Sequence, residues 1–588
     1  MLCNRPLSLV SIIDARSARP GCASCRAVLR LTIKCFIGSL LLIYIPHQFA
    51  RAQVDLAEFQ LELRKPDVIP FVHSSGASGQ RYVVEPMTAG LALFDYDGDG
   101  LIDVYLLNGA PLPPNAESRT HQPNRLYRNL GNWRFEDVTE HAGVGDLGYG
   151  LGVVAGDTDN DGAIDLYVTN FGNDVYYSNN GDGTFSDQTA DAGLSDGGKF
   201  GAGACFLDID GDGDIDLYCA NYQAFTFDKH FQQRIGEHFY HPGPKDFPAE
   251  YHILFENLGD GTFRDISEQS GIRVKAAPGM GVIAGDFNGD GWPDIFVCND
   301  SFANFLFIND GKGRFTDEAL ISGLALDRLG KANGNMGVDS GDFDNDGKID
   351  LFTTTYQDEM PVLYRQIDSG LFEDATNTAR IAPGLFPHVK WGTGFVDFNN
   401  DGHKDLYVAC GHFLDNIKYL DDRTAVKVHN YVLANQGNRT FVDASHSTKS
   451  DVSPIESSRG AAFDDLDNDG RVDVVVLNSD APVSVIQNNS KKANWVAVEL
   501  LGVTCNRDAA GAVLQLRCGS RTQTSMLHLG RGYQSHFGTR IHFGMGDCEQ
   551  FSLHILWPNG AVQKLESSQI NQVFRVIEGD PQLHRMSN

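Results

Sequence analysis

The segment DYDGDGLID, residues 95 to 103, places four aspartates at positions 1, 3, 5 and 9 of a nine-residue stretch. Six later segments repeat this arrangement at intervals of roughly 60 residues. They are DTDNDGAID (157–165), DIDGDGDID (208–216), DFNGDGWPD (286–294), DFDNDGKID (342–350), DFNNDGHKD (397–405) and DLDNDGRVD (465–473). We call the seven segments acidic loops 1 to 7, in chain order.

The residue types and their spacing suit calcium. Positions 1, 3 and 5 carry a carboxylate or an amide and position 9 a carboxylate, whereas position 7 varies freely, as expected if its backbone carbonyl is the ligand. Mg²⁺ prefers fewer protein ligands and Zn²⁺ prefers His or Cys, so the sequence predicts up to seven Ca²⁺. The predicted ligands are Asp95, Asp97, Asp99, Leu101, Asp103, Asp157, Asp159, Asp161, Ala163, Asp165, Asp208, Asp210, Asp212, Asp214, Asp216, Asp286, Asn288, Asp290, Trp292, Asp294, Asp342, Asp344, Asp346, Lys348, Asp350, Asp397, Asn399, Asp401, His403, Asp405, Asp465, Asp467, Asp469, Arg471 and Asp473. A solvated acidic turn is the alternative for any one loop, but seven matching copies favour the metal site.

The loop backbone is expected to curl around a point. Position 6 is always glycine and position 4 is always glycine or asparagine, the residues that best tolerate positive φ. The pattern resembles the first half of an EF-hand but is not one, because Leu106 occupies the position that requires a bidentate glutamate.

Strands must position these loops. A glycine-spaced run such as GLGVVAG (150–156) precedes each loop, and a strand-like run such as LYVTN follows it. A second pair of runs surrounds an Asn/Gly turn, as in YYSNNGDGTFSDQT (176–189), so each repeat predicts four strands.

Radial repetition of such units protects the strand edges. We therefore predict an all-β fold, a seven-bladed β-propeller followed by a small C-terminal β domain. An elongated β-solenoid is the alternative, although its repeats are usually shorter. The segment KPDVIPFVH (65–73) is expected to supply an outer strand that closes the ring on the last blade.

Charge and the N-terminal segment limit the class of protein. The 588 residues carry a net charge of −30, which repels phosphate backbones and argues against nucleic acid as a partner.

Basic residues precede the apolar run CFIGSLLLIYI (35–45), and Ala50-Arg51-Ala52 follows it. This order predicts a signal peptide over residues 1–52 with cleavage after Ala52, and a secreted, periplasmic or cell-surface protein without a membrane span in the mature chain. A retained anchor is the alternative, but the run is shorter than the roughly 20 residues that span a bilayer.

An oxidising compartment permits disulfides, but the cysteines that follow the signal peptide are odd in number. They are Cys205, Cys219, Cys298, Cys410, Cys505, Cys518 and Cys548. Cys205 and Cys219 lie symmetrically about loop 3, and Cys505 and Cys518 bracket a candidate hairpin, so these are the candidate pairs. Buried free thiols are the alternative.

The repeats resemble a known family. The acidic loops and their downstream N-x-G-x-G-x-F hairpins resemble the FG-GAP or VCBS repeats of integrin α-chain propellers and of many secreted bacterial proteins. The tail, with NWVAVELLG (494–502), RDAAGAVLQL (507–516), GRGYQSH (530–536), HFGMG (542–546) and WPNG (557–560), is similar to the ASPIC/UnbV domain of the cartilage acidic protein 1-like family. That family usually has Gln where this chain has His536.

The resemblance implies a secreted calcium-binding protein that contacts extracellular proteins or glycans. It divides the chain into the signal peptide (1–52), the propeller (53–490) and the ASPIC/UnbV domain (491–588). The tail contains no acidic loop, and it is expected either to form a stabilising cap on the last blade or to bind a ligand.

Two insertions are candidate binding surfaces, since long propeller loops commonly build the binding face. Residues 222–254 contain His230, His238, His241 and His252, and the second insertion covers residues 411–429. The pair His238 and His241 has the spacing of a transition-metal site, but histidines that serve surface and packing roles are the favoured interpretation.

A binding or adhesion module is favoured over an enzyme. Residues 193 to 197 have the letters of a nucleophile elbow but follow a hairpin, whereas that motif requires a strand-to-helix turn. A calcium-dependent polysaccharide lyase or hydrolase that uses a propeller face is the alternative, with no catalytic residues that the sequence identifies.

Overall fold

A computed structural model of the protein describes residues 59–64, 68–88, 90–114, 121–446 and 454–586. Residues Val54–Asn588 form one compact unit. The predicted signal peptide lies outside the described residues. No helix among the described residues is long and apolar enough to span a bilayer.

The protein is all-β, and most strands belong to four-stranded antiparallel sheets, which we number by the acidic loop that each contains. The first strand, β1 (Leu61–Leu63), pairs with the last strand of sheet 7. Sheet 1 contains β2 (Leu91–Phe94), β3 (Asp103–Leu106), β4 (Arg125–Asn129) and β5 (Phe135–Asp137), and sheet 2 contains β6 (Gly150–Gly156), β7 (Asp165–Asn170), β8 (Val175–Asn179) and β9 (Phe185–Asp187). Sheet 3 contains β10 (Gly201–Leu207), β11 (Asp216–Asn221), β14 (Ile253–Asn257) and β15 (Phe263–Asp265). Between β11 and β14, a separate two-stranded hairpin is formed by β12 (Gln233–Ile235) and β13 (His238–Tyr240).

The second half of the repeat region continues the pattern. Sheet 4 contains β16 (Gly279–Gly285), β17 (Asp294–Asn299), β18 (Phe305–Asn309) and β19 (Phe315–Asp317), and sheet 5 contains β20 (Asn335–Gly341), β21 (Asp350–Thr355), β22 (Val362–Asp368) and β23 (Leu371–Asp374). Sheet 6 contains β24 (Lys390–Val396), β25 (Asp405–Cys410), β26 (Tyr431–Asn435) and β27 (Phe441–Asp443), and sheet 7 contains β28 (Ser458–Asp464), β29 (Asp473–Asn478), β30 (Ser484–Asn488) and β1. Short α-helices follow sheets 1, 3 and 4, namely α1 (Thr139–Ala142), α2 (Ser267–Ser270) and α3 (Ala319–Ser322).

The sheets are arranged in a propeller-like way. The first strand of each sheet contacts the first strand of the next, and β28 also contacts β2. Glycines in these strands permit the close approach: a Cβ on Gly203 would lie 2.4 Å from the Met280 carbonyl oxygen, and one on Gly337 would lie 2.4 Å from that of Trp391. The seven sheets of the repeat region are separate antiparallel units, which contradicts an elongated β-solenoid.

The predicted closing strand was placed a few residues too late. β1 pairs with β30 through Leu61, Glu62 and Leu63, and of the predicted segment 65–73 only Val72 forms an isolated bridge, to Pro482. Residues 65–67 of that segment lie outside the described residues. The alternation in LEL, with Leu61 buried and Glu62 exposed, is the pattern of an edge strand with one covered face.

The C-terminal region forms two further four-stranded sheets. One contains β31 (Asn494–Leu501), β34 (Arg540–Gly546), β37 (Val573–Ile577) and β38 (His584–Arg585), and the other contains β32 (Val513–Cys518), β33 (Arg521–Met526), β35 (Phe551–Leu556) and β36 (Val562–Ser567). β31 and β37 pair in parallel, and the other pairs are antiparallel.

The tail contacts the last sheet, where Arg540 Nη1 donates to Asn468 Oδ1 of loop 7 at 3.0 Å, but its contacts are not confined to that sheet. Between β33 and β34, residues 527–538, which we call the inserted segment, hydrogen-bond to first strands of several sheets. In sheet 3, Phe206 N donates to Leu529 O of the inserted segment. In sheet 5, Val338 exchanges two backbone bonds with Gly532 of the segment, and in sheet 1, Leu93 N donates to its His536 O. Tyr533 is fully buried among residues of other sheets, 5.1 Å from the ring of Trp391. Strand edges exposed at the centre of the sheets thus obtain partners from the tail.

The disulfide pairing differs from both candidate pairs. Cys518 bonds to Cys548, and Cys505 is free. Cys205 faces Tyr218 across β10 and β11, whereas Cys219 faces Ala204, so the two thiols point to opposite faces of the sheet and cannot meet. Both are buried free thiols, as are Cys298 and Cys410.

Candidate metal sites

All seven acidic loops adopt the backbone that their glycines and asparagines predict. At position 4, φ is positive in every loop, from 56° at Asn345 to 78° at Gly211 and Gly289. At position 6, φ is positive at every glycine, up to 98° at Gly162. These two residues turn the chain so that positions 1, 3 and 5 face a common point.

Hydrogen bonds hold the carboxylates in that orientation, as loop 2 illustrates. Asp157 Oδ1 accepts from Asp161 N at 3.0 Å, and its Oδ2 accepts from Gly162 N at 2.8 Å. Asp159 Oδ1 accepts from Asp161 N at 3.1 Å, and Asp161 Oδ1 accepts from Ala163 N at 2.8 Å. Loops 1 and 5 repeat all four of these bonds.

The aspartate at position 9 begins the second strand and joins the loop to the sheet. In loop 2, Asp165 Oδ2 accepts from Thr158 N at 3.0 Å and its Oδ1 accepts from Asn179 N at 2.8 Å. The corresponding aspartates of the other loops accept the same two backbone bonds. Position 9 therefore fixes the hairpin as well as facing the loop.

In five loops, three carboxylate oxygens lie within 4.8 Å of one another and could hold a metal ion. These groups are Asp95, Asp97 and Asp99; Asp157, Asp159 and Asp161; Asp208, Asp210 and Asp212; Asp342, Asp344 and Asp350; and Asp465, Asp467 and Asp473. Loops 4 and 6 have an amide at position 3, where Asn288 Oδ1 and Asn399 Oδ1 accept from the amide N of position 5 as an aspartate does.

The side chains at position 7 turn to different neighbours. Asp214 accepts from Asn160 Nδ2 at 2.9 Å, Lys348 Nζ donates to Ile367 O at 2.6 Å, and Arg471 forms an ion pair with Asp469. This variety agrees with a position whose side chain is not selected as a ligand.

Burial and mutual repulsion disfavour the charged form of these carboxylates in the metal-free protein. Burial, together with repulsion from the carboxylate of Asp508, raises the pKa of Asp157 to about 8. Burial, with repulsion from Asp344 and Asp346, likewise raises the pKa of Asp342 to about 7. A cation at the centre of the loop would supply the missing positive charge, so the donor set fits a hard divalent ion.

Arginines neutralise part of the charge in some loops. Arg128 Nε lies 2.7 Å from Asp97 Oδ2 in loop 1, and Arg365 Nε lies 2.8 Å from Asp344 Oδ2 in loop 5. The C-terminal domain reaches loop 2, where Arg507 Nε lies 3.2 Å from Asp157 Oδ2 and Asp508 Oδ2 accepts from Asp157 N at 2.7 Å. Sequence reasoning missed these contacts, because each joins a loop to a residue on another strand or in the C-terminal domain.

An amide side chain at or near the end of each third strand bridges neighbouring sheets. Asn179 Nδ2 donates to Ile164 O of its own loop at 3.1 Å and to Tyr96 O of loop 1 at 3.0 Å. Equivalent bonds to the preceding loop come from Asn129 (to loop 7), Asn257, Asn309, Gln366, Asn435 and Asn488. The sequence signal for these bridges is the recurring Asn before the hairpin turn.

The histidines of the first insertion have separate partners. His238 stacks on Tyr419 at 4.1 Å between ring centroids, whereas His241 Nε2 lies 3.4 Å from Glu85 Oε2. His252 is buried, with Nδ1 against Tyr218 Oη and Nε2 against Ala277 O. Packing roles thus account for them, and the pair His238 and His241 does not converge on a common point. The next element after Ser195 is the strand β10 rather than a helix, so the nucleophile-elbow letters lack the required turn.

Comparisons with known proteins agree with this architecture. The ASPIC and UnbV family model matches residues 502–583, and the FG-GAP-like repeat model matches residues 95–168, 157–219, 250–297, 286–353 and 342–408. The chain is 25% identical over 521 residues to cartilage acidic protein 1 of Mus musculus, covering 83% of this chain and 73% of that protein. It is 24% identical over 517 residues to cartilage acidic protein 1 of Homo sapiens, covering 83% of this chain and 72% of that protein.

Among solved structures, an Agrocybe aegerita lectin described as recognising non-reducing terminal N-acetylglucosamine aligns with 67% of this chain and 87% of its own at 15% identity. The TM-score of this alignment is 0.34.

Proposed function

Because the chain belongs to the family that combines FG-GAP-like repeats with an ASPIC and UnbV domain, we propose that it is a secreted calcium-binding β-propeller protein that binds a protein or glycan outside the cell. The proposed regions of the chain are a signal peptide (1–52), a propeller (53–490) and an ASPIC/UnbV domain (491–588). The carboxylate oxygens that converge within 4.8 Å in five loops carry the calcium assignment.

A closed ring of seven blades is part of the proposal. The contacts between first strands support closure, because they run from β2 through β28 and back to β2. The bridging amides run the same way, since Asn129 of sheet 1 donates to Leu466 O of loop 7 at 2.8 Å. β1 adds a strand from the beginning of the described chain to sheet 7, which joins the two ends of the repeat region.

Calcium would be held by positions 1, 3 and 5, the carbonyl of position 7 and position 9 in each loop. When bound, the ion supplies positive charge to a group of carboxylates that otherwise repel each other. The protein's own part is to hold these oxygens in place through the amide hydrogen bonds of the loop. Calcium binding and stability are therefore expected to be coupled.

Thermal unfolding tests the calcium assignment. We expect the melting temperature to rise by many degrees between excess EGTA and millimolar CaCl₂, because saturation at about 1,000 times Kd adds about 4 kcal/mol for each site. Loops 4 and 6, in which Asn288 and Asn399 replace an aspartate, should release their ions first. A melting temperature that is the same in EGTA and in calcium would refute the assignment.

A matched pair of variants assigns the effect to a loop. Asp208→Asn in loop 3 should remove one equivalent of bound calcium, measured by isothermal titration and elemental analysis. Asp191→Asn, an exposed aspartate outside the loops, should leave the stoichiometry unchanged. Equal stoichiometry in both variants would exclude loop 3 as a site.

Peptide and glycan arrays, probed with the mature chain in calcium and in EGTA, test the binding function. Calcium-dependent retention without change of the probe is the expected result. New reducing ends or unsaturated sugars on the glycan array would instead indicate a carbohydrate-active enzyme.

A further inference from the structure

A cavity of about 320 Å³ lies at the face of the sheets opposite the acidic loops. Met280, Met336 and Trp391, each the second residue of a first strand, contribute to its wall, whereas the loops follow the other ends of those strands. Tyr240 comes from the first long insertion and Leu420 from the second. The two insertions that the sequence singles out therefore build one site.

The lining suits a flat apolar group. Most lining side chains are apolar, and they include the methionines Met87, Met280 and Met336, whose thioethers adapt to the shape of a ligand and contact aromatic rings favourably. Trp391 and Phe413 add aromatic surface. The volume lies near the lower end of the ligand-pocket range of about 300–1,000 Å³, which suits one ring system rather than a chain of sugars.

Two buried polar atoms in this apolar wall have no hydrogen-bond partner among the described residues, and a carboxylate lies nearby. Tyr240 is 3% exposed, and its hydroxyl has no hydrogen-bond partner among the described residues. His241 Nδ1 is likewise buried and unpartnered, although its Nε2 faces Glu85. Asp300, whose carboxylate accepts from Tyr222 Oη at 2.8 Å, adds a hydrogen-bond acceptor. Buried polar atoms without partners are costly, so a ligand that bonds to them gains affinity.

Exposed apolar side chains surround the opening. Ile235 and Leu420 line the cavity and are 50% and 44% exposed, and Tyr419, the neighbour of Leu420 on the second insertion, is 58% exposed. A free small molecule would leave this rim in water. A protein surface would cover it, as in interfaces where an aromatic anchor fills a central pocket.

We propose that this cavity receives the aromatic side chain of a protein partner, an indole or phenol ring whose N–H or O–H donates to Asp300 while the rim packs against the surrounding partner surface. This inference rests on the proposed binding function and specifies its partner as a protein. It does not depend on the calcium assignment, so the two can fail separately.

Isolated ring compounds test the cavity in the full mature chain. With N-acetyl-tryptophanamide and N-acetyl-tyrosinamide as probes, ligand-observed NMR should give saturable binding with Kd of roughly millimolar, as expected for so few contact atoms. N-acetyl-leucinamide and methyl N-acetylglucosaminide should bind at least about tenfold more weakly. Preference for the sugar, or no saturation by either aromatic probe up to about 20 mM, would overturn the proposal.

Matched leucine variants place the binding at the cavity. Leu420→Glu at the rim should weaken binding of both aromatic probes by about tenfold or more, because it puts a charge beside the apolar opening. Leu371→Glu, in β23 and similarly exposed at 42%, should leave binding unchanged. Both substitutions are at exposed positions, and a thermal melt checks that each variant folds. Equal affinity in the two variants would place the aromatic site elsewhere and contradict the proposal.

Two further variants test which polar group of the cavity binds the ring compound. Tyr240→Phe keeps the ring and removes the unpartnered hydroxyl, so it should change Kd for N-acetyl-tryptophanamide less than Asp300→Asn, which should weaken it several-fold. If the calcium melt succeeds and these probes fail, the proposed calcium function stands and this inference falls. If calcium has no effect but the probes bind as expected, the reverse holds.

Discussion

The position-9 aspartates differ from the other loop carboxylates, because one of their oxygens accepts a backbone hydrogen bond from the third strand of the sheet. Asp216 accepts from Ile209 N and Asn257 N, both at 2.8 Å, and burial raises its pKa well above the usual value. Asp350 and Asp473 also contribute to the oxygen clusters of loops 5 and 7. One residue type thus organises the hairpin and faces the proposed ion.

His536 is the residue at which the inserted segment departs from the family's usual Gln, and it predicts a pH effect. Burial lowers its pKa to about 3, with the charge of Arg531 adding to the shift. Between that value and the ordinary value near 6.5, the unfolded chain binds a proton that the folded chain does not, so stability falls as the pH drops. At pH 5 this residue alone should cost about 2 kcal/mol.

The variant His536→Gln should therefore lose less stability between pH 7.5 and pH 5 than the natural chain. Urea unfolding in saturating calcium measures the difference, since calcium keeps the loop carboxylates ionised at both pH values. His554→Gln, on the half-buried strand β35, is the control. Identical pH dependence in the natural chain and in His536→Gln would disprove the assignment.

At the level of elements, amide side chains connect one hairpin to the next. Each third strand carries an Asn or Gln at or near its end, whose side chain satisfies a carbonyl of its own loop or of the preceding loop. Gln366 replaces Asn in sheet 5, where the hairpin contains a register shift between Gln366 and Asp368. The longer side chain still reaches Phe287 O, at 2.8 Å.

Asn179→Ala tests the strength of this bridge. Loss of its amide leaves the carbonyls of Tyr96 and Ile164 without that donor, so the free energy of unfolding should fall by about 1–3 kcal/mol. The neighbouring Asn180→Ala, an exposed residue that bonds only to side chains of its own hairpin, should change it by less than about 0.5 kcal/mol. Equal effects in chemical denaturation would mean that the bridge contributes nothing.

For the whole molecule, the inserted segment links the C-terminal domain to the repeat region. Its backbone pairs with first strands in sheets 1, 2, 3 and 5, and Tyr533 Oη donates to Met87 O at 2.9 Å. These contacts tie sheets that are distant in sequence to a single short segment. The compact unit Val54–Asn588 is therefore expected to unfold in one cooperative transition.

Tyr533→Ala should destabilise that entire unit. Removal of a fully buried aromatic ring costs about 3–5 kcal/mol, and calorimetry should show one transition at lower temperature. Tyr251→Ala, at a tyrosine that is 45% exposed, is the matched control. A variant in which only the C-terminal domain melts early would contradict the linkage.

The sequence by itself determined the features that depend on neighbouring residues. The positive φ at positions 4 and 6 and the inward carboxylates follow from nine consecutive residues, and the hairpins follow from alternating runs around short turns. Family-typical motifs also identified the repeats and the C-terminal domain. Such signals are local, and the chain repeats them seven times.

Only the tertiary structure decided the contacts between distant residues. The pairing of Cys518 with Cys548, the position of β1, the arginines on the loops and the path of residues 527–538 all depend on which surfaces meet. The insertions around Tyr240 and Leu420 likewise form a cavity only when they fold over the same first strands. Residue spacing along the chain does not predict these contacts, because packing and hydrogen bonding determine which distant residues come together.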